Sequence, residues 1–450
     1  MNVSQAALVF VALAPGAVFG LLALLWLVGW VPPERAVARI TGWMFSASAV
    51  ALIPVWLGLT SSGTAAVTVE FANWFTVHDY RFPLVLMADR LSLPFLAMTV
   101  VLAGLIGRFS ATYLHREPGV FRFFLLLHLF TFGSLVAFAA GSFDLLVAGW
   151  EIVGITSVLL IAFFQHRAAP VENALRVFGI YRAGDIGLVV GVFALHQWAG
   201  TASFAGGFPH LTASHASMLG ALLLFAAAGK AAQVPFSGWL PRAMEGPTPS
   251  SAIFYGAISI HAGAYLLLRA QPLLARSGIA SALVVAVGVA TAIYGTISGR
   301  VSADAKGSLA FASLTQVGVI FAEIGMGWNR VAVVHILGHA TVRTLQFLRA
   351  PSALHDYHRM DSAEGGATPA AGRLEEWLPE RWQLWLYRWA LDRGHLDTIL
   401  DRFAIHPLML LSGWFAALDR LGMHRPPREH DDAEASMSGA GAHGPRPERI

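Results

Sequence analysis

Few residues of this chain carry charge, so the ones embedded in apolar runs are the first candidates for chemistry. Lys230 follows the apolar run 218–228 and precedes Gln233, Pro235 and the word Pro247-Thr248-Pro249. An ammonium at membrane depth costs roughly 2.5–3.5 kcal/mol on insertion scales, and such groups mark ion or proton paths. Pro235 lacks a backbone N–H and crowds the carbonyl one turn earlier, so a helix through this stretch is expected to kink or break beside the lysine. Broken helices at that depth are tolerated where they line a cavity. On spacing alone, a lysine near a helix end that snorkels to the surface is the competing reading.

Glu151, in Trp150-Glu151-Ile152-Val153-Gly154, puts a carboxylate into another apolar stretch, where it is costly to ionise without a partner. Arg182 and Asp185, in Tyr181-Arg182-Ala183-Gly184-Asp185, add an internal ion-pair set that reads equally as structural support. His335, His339 and Arg343 are spaced four and four, which puts them on one helical face. Histidine titrates near neutral pH and suits a proton relay; two histidines satisfied by neighbouring helices are the structural alternative. A histidine pair at this spacing also fits zinc, but no carboxylate or cysteine ligand accompanies it, so no metal is expected. No quinone, flavin, iron–sulfur or nucleotide motif is present, and no cofactor is expected.

Holding these groups in place requires membrane helices. Hydrophobic residues make up 56% of the 450 and charged residues only 13%, against about 25% charged in soluble domains; mean hydropathy is +0.60. The expected fold is all-α, a polytopic membrane bundle of about eleven spans with one broken helix and amphipathic C-terminal helices. Spans are expected at 7–30, 40–60, from Asp89 on, 121–140, 145–164, 174–197, 217–240, 251–270, 279–299, 307–327 and 330–349. The first has no cleavage site and reads as a helix rather than a signal peptide. The alternating stretch 67–86 reads as a hairpin or loop at the outer surface. Four segments follow: a transmembrane domain at 1–350, a Gly/Ala/Ser-rich linker at 351–373, amphipathic helices at 374–422 and a disordered tail at 423–450. Trp377, Trp382, Trp385 and Tyr387 make an aromatic face that is expected to meet the membrane surface or a partner. There is no cysteine, hence no disulfide or thiolate site. The net charge of +3 is dispersed, and nucleic-acid binding has no support. Arginines and lysines cluster in alternate loops, which predicts an N-terminus outside and a C-terminal tail in the cytoplasm of a bacterial inner membrane.

The words around Lys230 (Gly229-Lys230 to Pro241, then Pro247-Thr248-Pro249), with Asp89-Arg90-Leu91-Ser92-Leu93, the Glu151 and Arg182 words and Gln316-Val317-Gly318, resemble one family in order. It is that of the antiporter-like membrane subunits: the L and M subunits of complex I, the A subunit of Mrp cation/proton antiporters and the B subunit of the Dab inorganic-carbon complex. The resemblance covers roughly 70–355, with a weaker echo near 393–420. It implies that Glu151 pairs electrostatically with Lys230, that Arg182 and Asp185 extend a polar axis, and that protons pass along Glu151, Lys230, His335 and His339. Three departures qualify it. Arg343 stands where the family usually has lysine, and arginine holds its proton. Tyr255 stands where a histidine often follows the Pro-Thr-Pro word, with His261 six residues on. Spans are expected to stop near 350, whereas larger homologues continue into a second broken helix.

Two functions compete, and the compact length and the expected cytoplasmic tail favour the first. One is the energy-coupling subunit of a Dab-type complex for CO2/bicarbonate uptake, working with a large cytoplasmic-side Dab A-type zinc-containing subunit. The other is a proton-pumping, L-like component of an NADH:quinone oxidoreductase-type complex among other membrane subunits. A transport-inactive scaffold is the third, blander reading. None of these gives the chain a redox or hydrolytic site of its own.

Overall fold

The computed structural model describes residues 1–350 and 379–400, apart from 62, 78, 79, 209, 303 and 304, and scattered positions from 402 to 418. The expected linker at 351–373, the first residues of the amphipathic segment and the tail from 423 lie outside the described residues. The chain divides into two compact units, 1–397 and 398–450. In the second, Leu410, Leu411, Trp414, Phe415 and Leu418 are exposed apolar positions.

The first unit begins with α1 (Val3–Leu27) and α2 (Glu34–Ser61), then the antiparallel strands β1 (Ala66–Val77) and β2 (Tyr80–Asp89), in which Ala66 faces Asp89. Helices α3 (Ser92–Tyr113), α4 (Val120–Phe138), α5 (Phe143–Ile161), α6 (Ala168–Ala199) and α7 (Ala213–Lys230) follow. Short pieces come next: a 3-10 turn Phe236–Gly238, α8 (Trp239–Arg242), α9 (Thr248–Ser251), a π-helical turn Ala252–Ala257, α10 (Ser259–Arg269) and α11 (Gln271–Leu274). Three long helices, α12 (Gly278–Arg300), α13 (Ala305–Gly325) and α14 (Asn329–Arg349), complete the bundle, and α15 (Glu380–Leu391) leads through a turn to Asp397.

Ten helices among the described residues are long and apolar enough to cross a membrane, one fewer than expected. The eleventh, α7, is not among them because it stops at Lys230 after 18 residues with a polar first turn. The protein is a multi-pass membrane protein with an all-α bundle and one small sheet. Its helices are apolar on nearly every side, as lipid demands: Leu21, Leu24, Trp26, Trp43, Ile53 and Trp56 of α1 and α2 are all exposed. Without a hydrophobic drive between helices, close packing relies on small residues. A Cβ on Gly288 of α12 would lie 2.5 Å from the Gly318 carbonyl of α13, and one on Gly318 2.6 Å from the Gly288 carbonyl.

The expected hairpin is present, and it is tied to the bundle. Met87 N–H donates to Ala139 O at 2.7 Å, and Gly141 N–H to Val85 O at 2.9 Å. Asp89 receives both guanidinium ends of Arg269 on α10, at 2.6 and 3.1 Å. Burial pushes the Asp89 carboxyl up, but Arg269 and the Ser92 hydrogen bonds outweigh it and hold the carboxyl below its usual range. Arg269 also donates to the Tyr265 hydroxyl at 2.9 Å, which itself donates to Phe138 O at 2.7 Å. This mesh sets the height of α10, the helix that carries His261.

Candidate functional site

The site starts where α7 fails to continue. Ala231 still donates to Ala227 O at 2.8 Å, but Ala232 turns into the left-handed region at φ 53°, which costs a residue with a Cβ roughly 1–2 kcal/mol. The backbone groups released by the break find other partners. Val234 N–H donates to Thr291 Oγ1 of α12 at 3.0 Å, and the Trp239 indole N–H to Gly229 O at 2.9 Å. Pro235 follows, joined to Val234 by a cis peptide bond, and only short helical turns separate it from the next span, Thr248–Arg269. The predicted break is therefore real, and side chains of α8 and α12 make it tolerable in a dry interior.

Lys230 is the last residue of α7 and 1% exposed. It sits at the negative end of the helix dipole, which favours a cation. Its ammonium donates to the Trp150 carbonyl at 3.0 Å and lies over two rings, Trp150 at 4.9 Å and Tyr181 at 4.5 Å. The snorkelling alternative is excluded by this burial. Gly154 admits the lysine: a Cβ there would be 3.0 Å from Nζ.

Among the described residues no salt bridge joins Glu151 to Lys230; the carboxylate's direct partner is Arg182. Arg182 also bonds to Asp185 at 2.7 Å. Asp185 accepts the Trp150 indole N–H at 2.6 Å. A chain of contacts thus runs Glu151–Arg182–Asp185–Trp150–Lys230, and Trp150 stands between the acids and the ammonium. The reason is reach: the guanidinium spans two carboxylates at once, and the lysine is held by carbonyl and ring faces on its own side. Glu151 and Arg182 remain 34% and 38% exposed near the middle of α5 and α6.

A second polar group lies on the neighbouring helices. α10 packs hard on α7, since a Cβ on Gly263 would lie 2.5 Å from Ala227 O. His261, two residues before Gly263, is fully buried and bonds His339 of α14 across 3.0 Å. His335 turns to α13 instead, with Nδ1 3.0 Å from Glu323 Oε1 and Nε2 2.9 Å from Gln316 Oε1. Arg343 is buried one turn beyond His339, with no carboxylate within salt-bridge reach among the described residues. The shared helical face therefore divides its contacts between two neighbours. Tyr255 falls in the π-helical turn, and its side chain is outside the described part of the structure.

Trp150, Tyr181, Gln316 and Glu323 have no role in the sequence reading but touch the site. Glu323 had a legible signal: it is an acid in the apolar stretch 317–324, the same ground on which Glu151 stands out. Trp150 and Tyr181 had none, because an aromatic residue in an apolar helix is ordinarily core.

Residues 140–365 match the family described as NADH:quinone oxidoreductase/Mrp antiporter, TM, and residues 74–124 that described as NADH-Ubiquinone oxidoreductase (complex I), chain 5 N-terminus. The NADH-quinone oxidoreductase subunit L of Mycobacterium tuberculosis is 35% identical over 298 residues, 65% of this chain and 47% of its own. The NADH-ubiquinone oxidoreductase chain 5 of Neurospora crassa is 32% identical over 292 residues, 64% of this chain and 41% of its own. The chain thus spans under half the length of these relatives. Among solved structures, the Mrp complex from Dietzia sp. DQ12-45-1b aligns with a TM-score of 0.65 and 25% identity, covering 75% of this chain and 37% of that one. The membrane-bound sulfane sulfur reductase, an archaeal respiratory membrane complex, has the same fold with a TM-score of 0.65 at 20% identity, covering 76% of this chain and 70% of that one.

Proposed function

The chain belongs to the NADH:quinone oxidoreductase/Mrp antiporter family of membrane subunits, and from that premise we propose that it is a proton-translocating subunit of a larger membrane complex. One observation carries the reading: an ammonium 1% exposed, at the end of a broken helix, held by a carbonyl and two ring faces with carboxylates one residue away. A purely structural lysine would be expected to touch its counter-ion. Here the counter-ions are close enough to act on the ammonium, while Arg182 occupies them directly. Rearranging the Arg182 contacts changes the field at Lys230 and hence its hold on a proton. The His261–His339 pair continues the path.

The half-exposed Glu151–Arg182 pair supports a partner within the membrane, because charge at mid-span is costly against lipid. The relatives named as oxidoreductase subunits L and 5 favour a complex I-like assembly; the Dab-type partnership rests on the resemblance of the motif words alone. Purification under mild detergent decides between them by whether membrane subunits or a soluble zinc-containing subunit comes with the chain. The uneven arginines favour an N-terminus outside and a C-terminus in the cytoplasm of a bacterial inner membrane. Labelling of a Ser436→Cys variant from the outside would reverse that orientation.

The central test is a pair of substitutions at Lys230. Methionine keeps the approximate volume and removes the titrating group; arginine keeps the charge but holds its proton. Both variants are expected to accumulate in the membrane and to lose proton transport. A fully active Lys230→Arg variant would leave Lys230 as a structural cation and favour the scaffold reading.

A further inference from the structure

Glu323 is 8% exposed in the last turn of α13, with His335 as its partner and no lysine or arginine in salt-bridge reach among the described residues. Its other oxygen, Oε2, is buried without a hydrogen-bond donor among the described residues. An ionised carboxylate gains nothing from the helix dipole at that end. Packing does not require an acid here, since glutamine would fill the same space.

The proton count at His335 is informative. Both ring nitrogens face oxygens, Glu323 Oε1 at 3.0 Å and Gln316 Oε1 at 2.9 Å. A neutral imidazole has one N–H to donate. Either the ring is an imidazolium that donates to both, or it donates to Gln316 and accepts from a protonated Glu323. The two states share one heavy-atom arrangement and differ by the position of one proton on the Nδ1···Oε1 line. If the Gln316 amide turns its NH2 toward the ring, a third state with one proton fewer becomes accessible. The pair can therefore take up, hold and give up a proton without moving a helix.

Its placement gives this capacity a direction. His339, bonded to His261 at 3.0 Å, is one turn from His335 along α14. Beyond Glu323 the chain reaches the surface, with Met326 and Trp328 exposed. We propose that Glu323 is the outlet carboxylate of the path, taking protons from His335 and releasing them at the α13–α14 turn; this rests on the proton-translocating reading above. In the step, the Nδ1–H bond of the imidazolium breaks and an O–H bond forms on Oε1, which converts the ion pair to a neutral pair. The carboxyl then gives its proton to water and returns to carboxylate, and the next proton of the path restores the imidazolium at Nδ1, the nitrogen that lost it.

The test uses the full chain in proteoliposomes under an imposed pH gradient, with proton flux and protein yield measured together. Glu323→Gln is expected to insert normally and lose flux by at least about tenfold, while Glu323→Asp stays within about threefold of the original. Wild-type flux in Glu323→Gln would overturn the proposal while leaving the Lys230 reading intact. Absence of flux in the unmutated chain, or full flux in Lys230→Met, would sink both. Should Glu323→Gln fail to accumulate, infrared spectra decide. A protonated-carboxyl band that shifts between the original and Glu323→Asp supports the role, and identical spectra oppose it.

Discussion

At the scale of single residues, two arginines of the bundle each serve two partners at once. Arg182 serves Glu151 and Asp185 together, and Arg269 serves Asp89 and Tyr265. The second set makes a pH-dependent prediction. The Asp89 carboxyl is held below its ordinary value, so its contribution to stability is full above the unfolded value of about 3.9 and is lost as pH falls through the folded value. Replacing it by asparagine leaves Arg269, which is 6% exposed, without its counter-ion. Asp89→Asn should therefore melt well below the unmutated protein at pH 7 in detergent. The gap should narrow as pH drops below about 4. A gap that is constant across that range would show that Asp89 acts through shape alone.

At the scale of elements, what matters is how closely two helices can approach. α12 and α13 meet where Gly288 and Gly318 expose backbone to backbone, and the adjacent Thr291 of α12 caps Val234 in the break. Gly288→Val would drive a side chain into Gly318 O at 2.5 Å and Ala322 N at 2.6 Å, neither of which can yield. The helices must part, at a cost on the order of 1–3 kcal/mol. The capping contact to Val234 should loosen with them, so the variant is expected to be both less thermostable and slower in transport. Gly20 of α1, where a Cβ meets nothing within 4 Å, is the control; Gly20→Ala should be neutral within about 1 kcal/mol. Equal behaviour of the two variants in thermal-shift and flux measurements would remove the packing argument.

At the scale of the whole molecule, the segment expected to meet a partner partly folds back on its own bundle. Asp397 bonds to Arg242 at 2.7 Å and lies 3.8 Å from Arg176, and Trp389 of α15 stands edge-on to Tyr294 with ring centroids 6.0 Å apart. Trp382, Trp385 and Tyr387 stay about half exposed, which leaves an aromatic face for membrane or partner. Asp397→Asn should loosen this attachment without touching the bundle. In limited trypsin digestion, cleavage after Arg381 and Arg388 should quicken several-fold, while the bundle fragment stays intact. Unchanged cleavage kinetics would show that the ring contacts suffice.

Class, span number to within one, the hairpin and the break beside Lys230 were all legible from the chain alone. Each depends on local physics: apolar length against bilayer thickness, alternation, and the missing N–H of Pro235. The family could also be read there, because its motif words are contiguous. The partners could not. That Arg182 rather than Lys230 meets Glu151, that Trp150 and Tyr181 hold the ammonium, and that His261 reaches His339 while His335 reaches Glu323 depend on how α5, α6, α10, α13 and α14 rotate about their axes. In lipid that rotation is set by where small residues let backbones touch, at Gly149, Gly263, Gly288 and Gly318. Such contacts join residues far apart in sequence, so only the tertiary structure decides them.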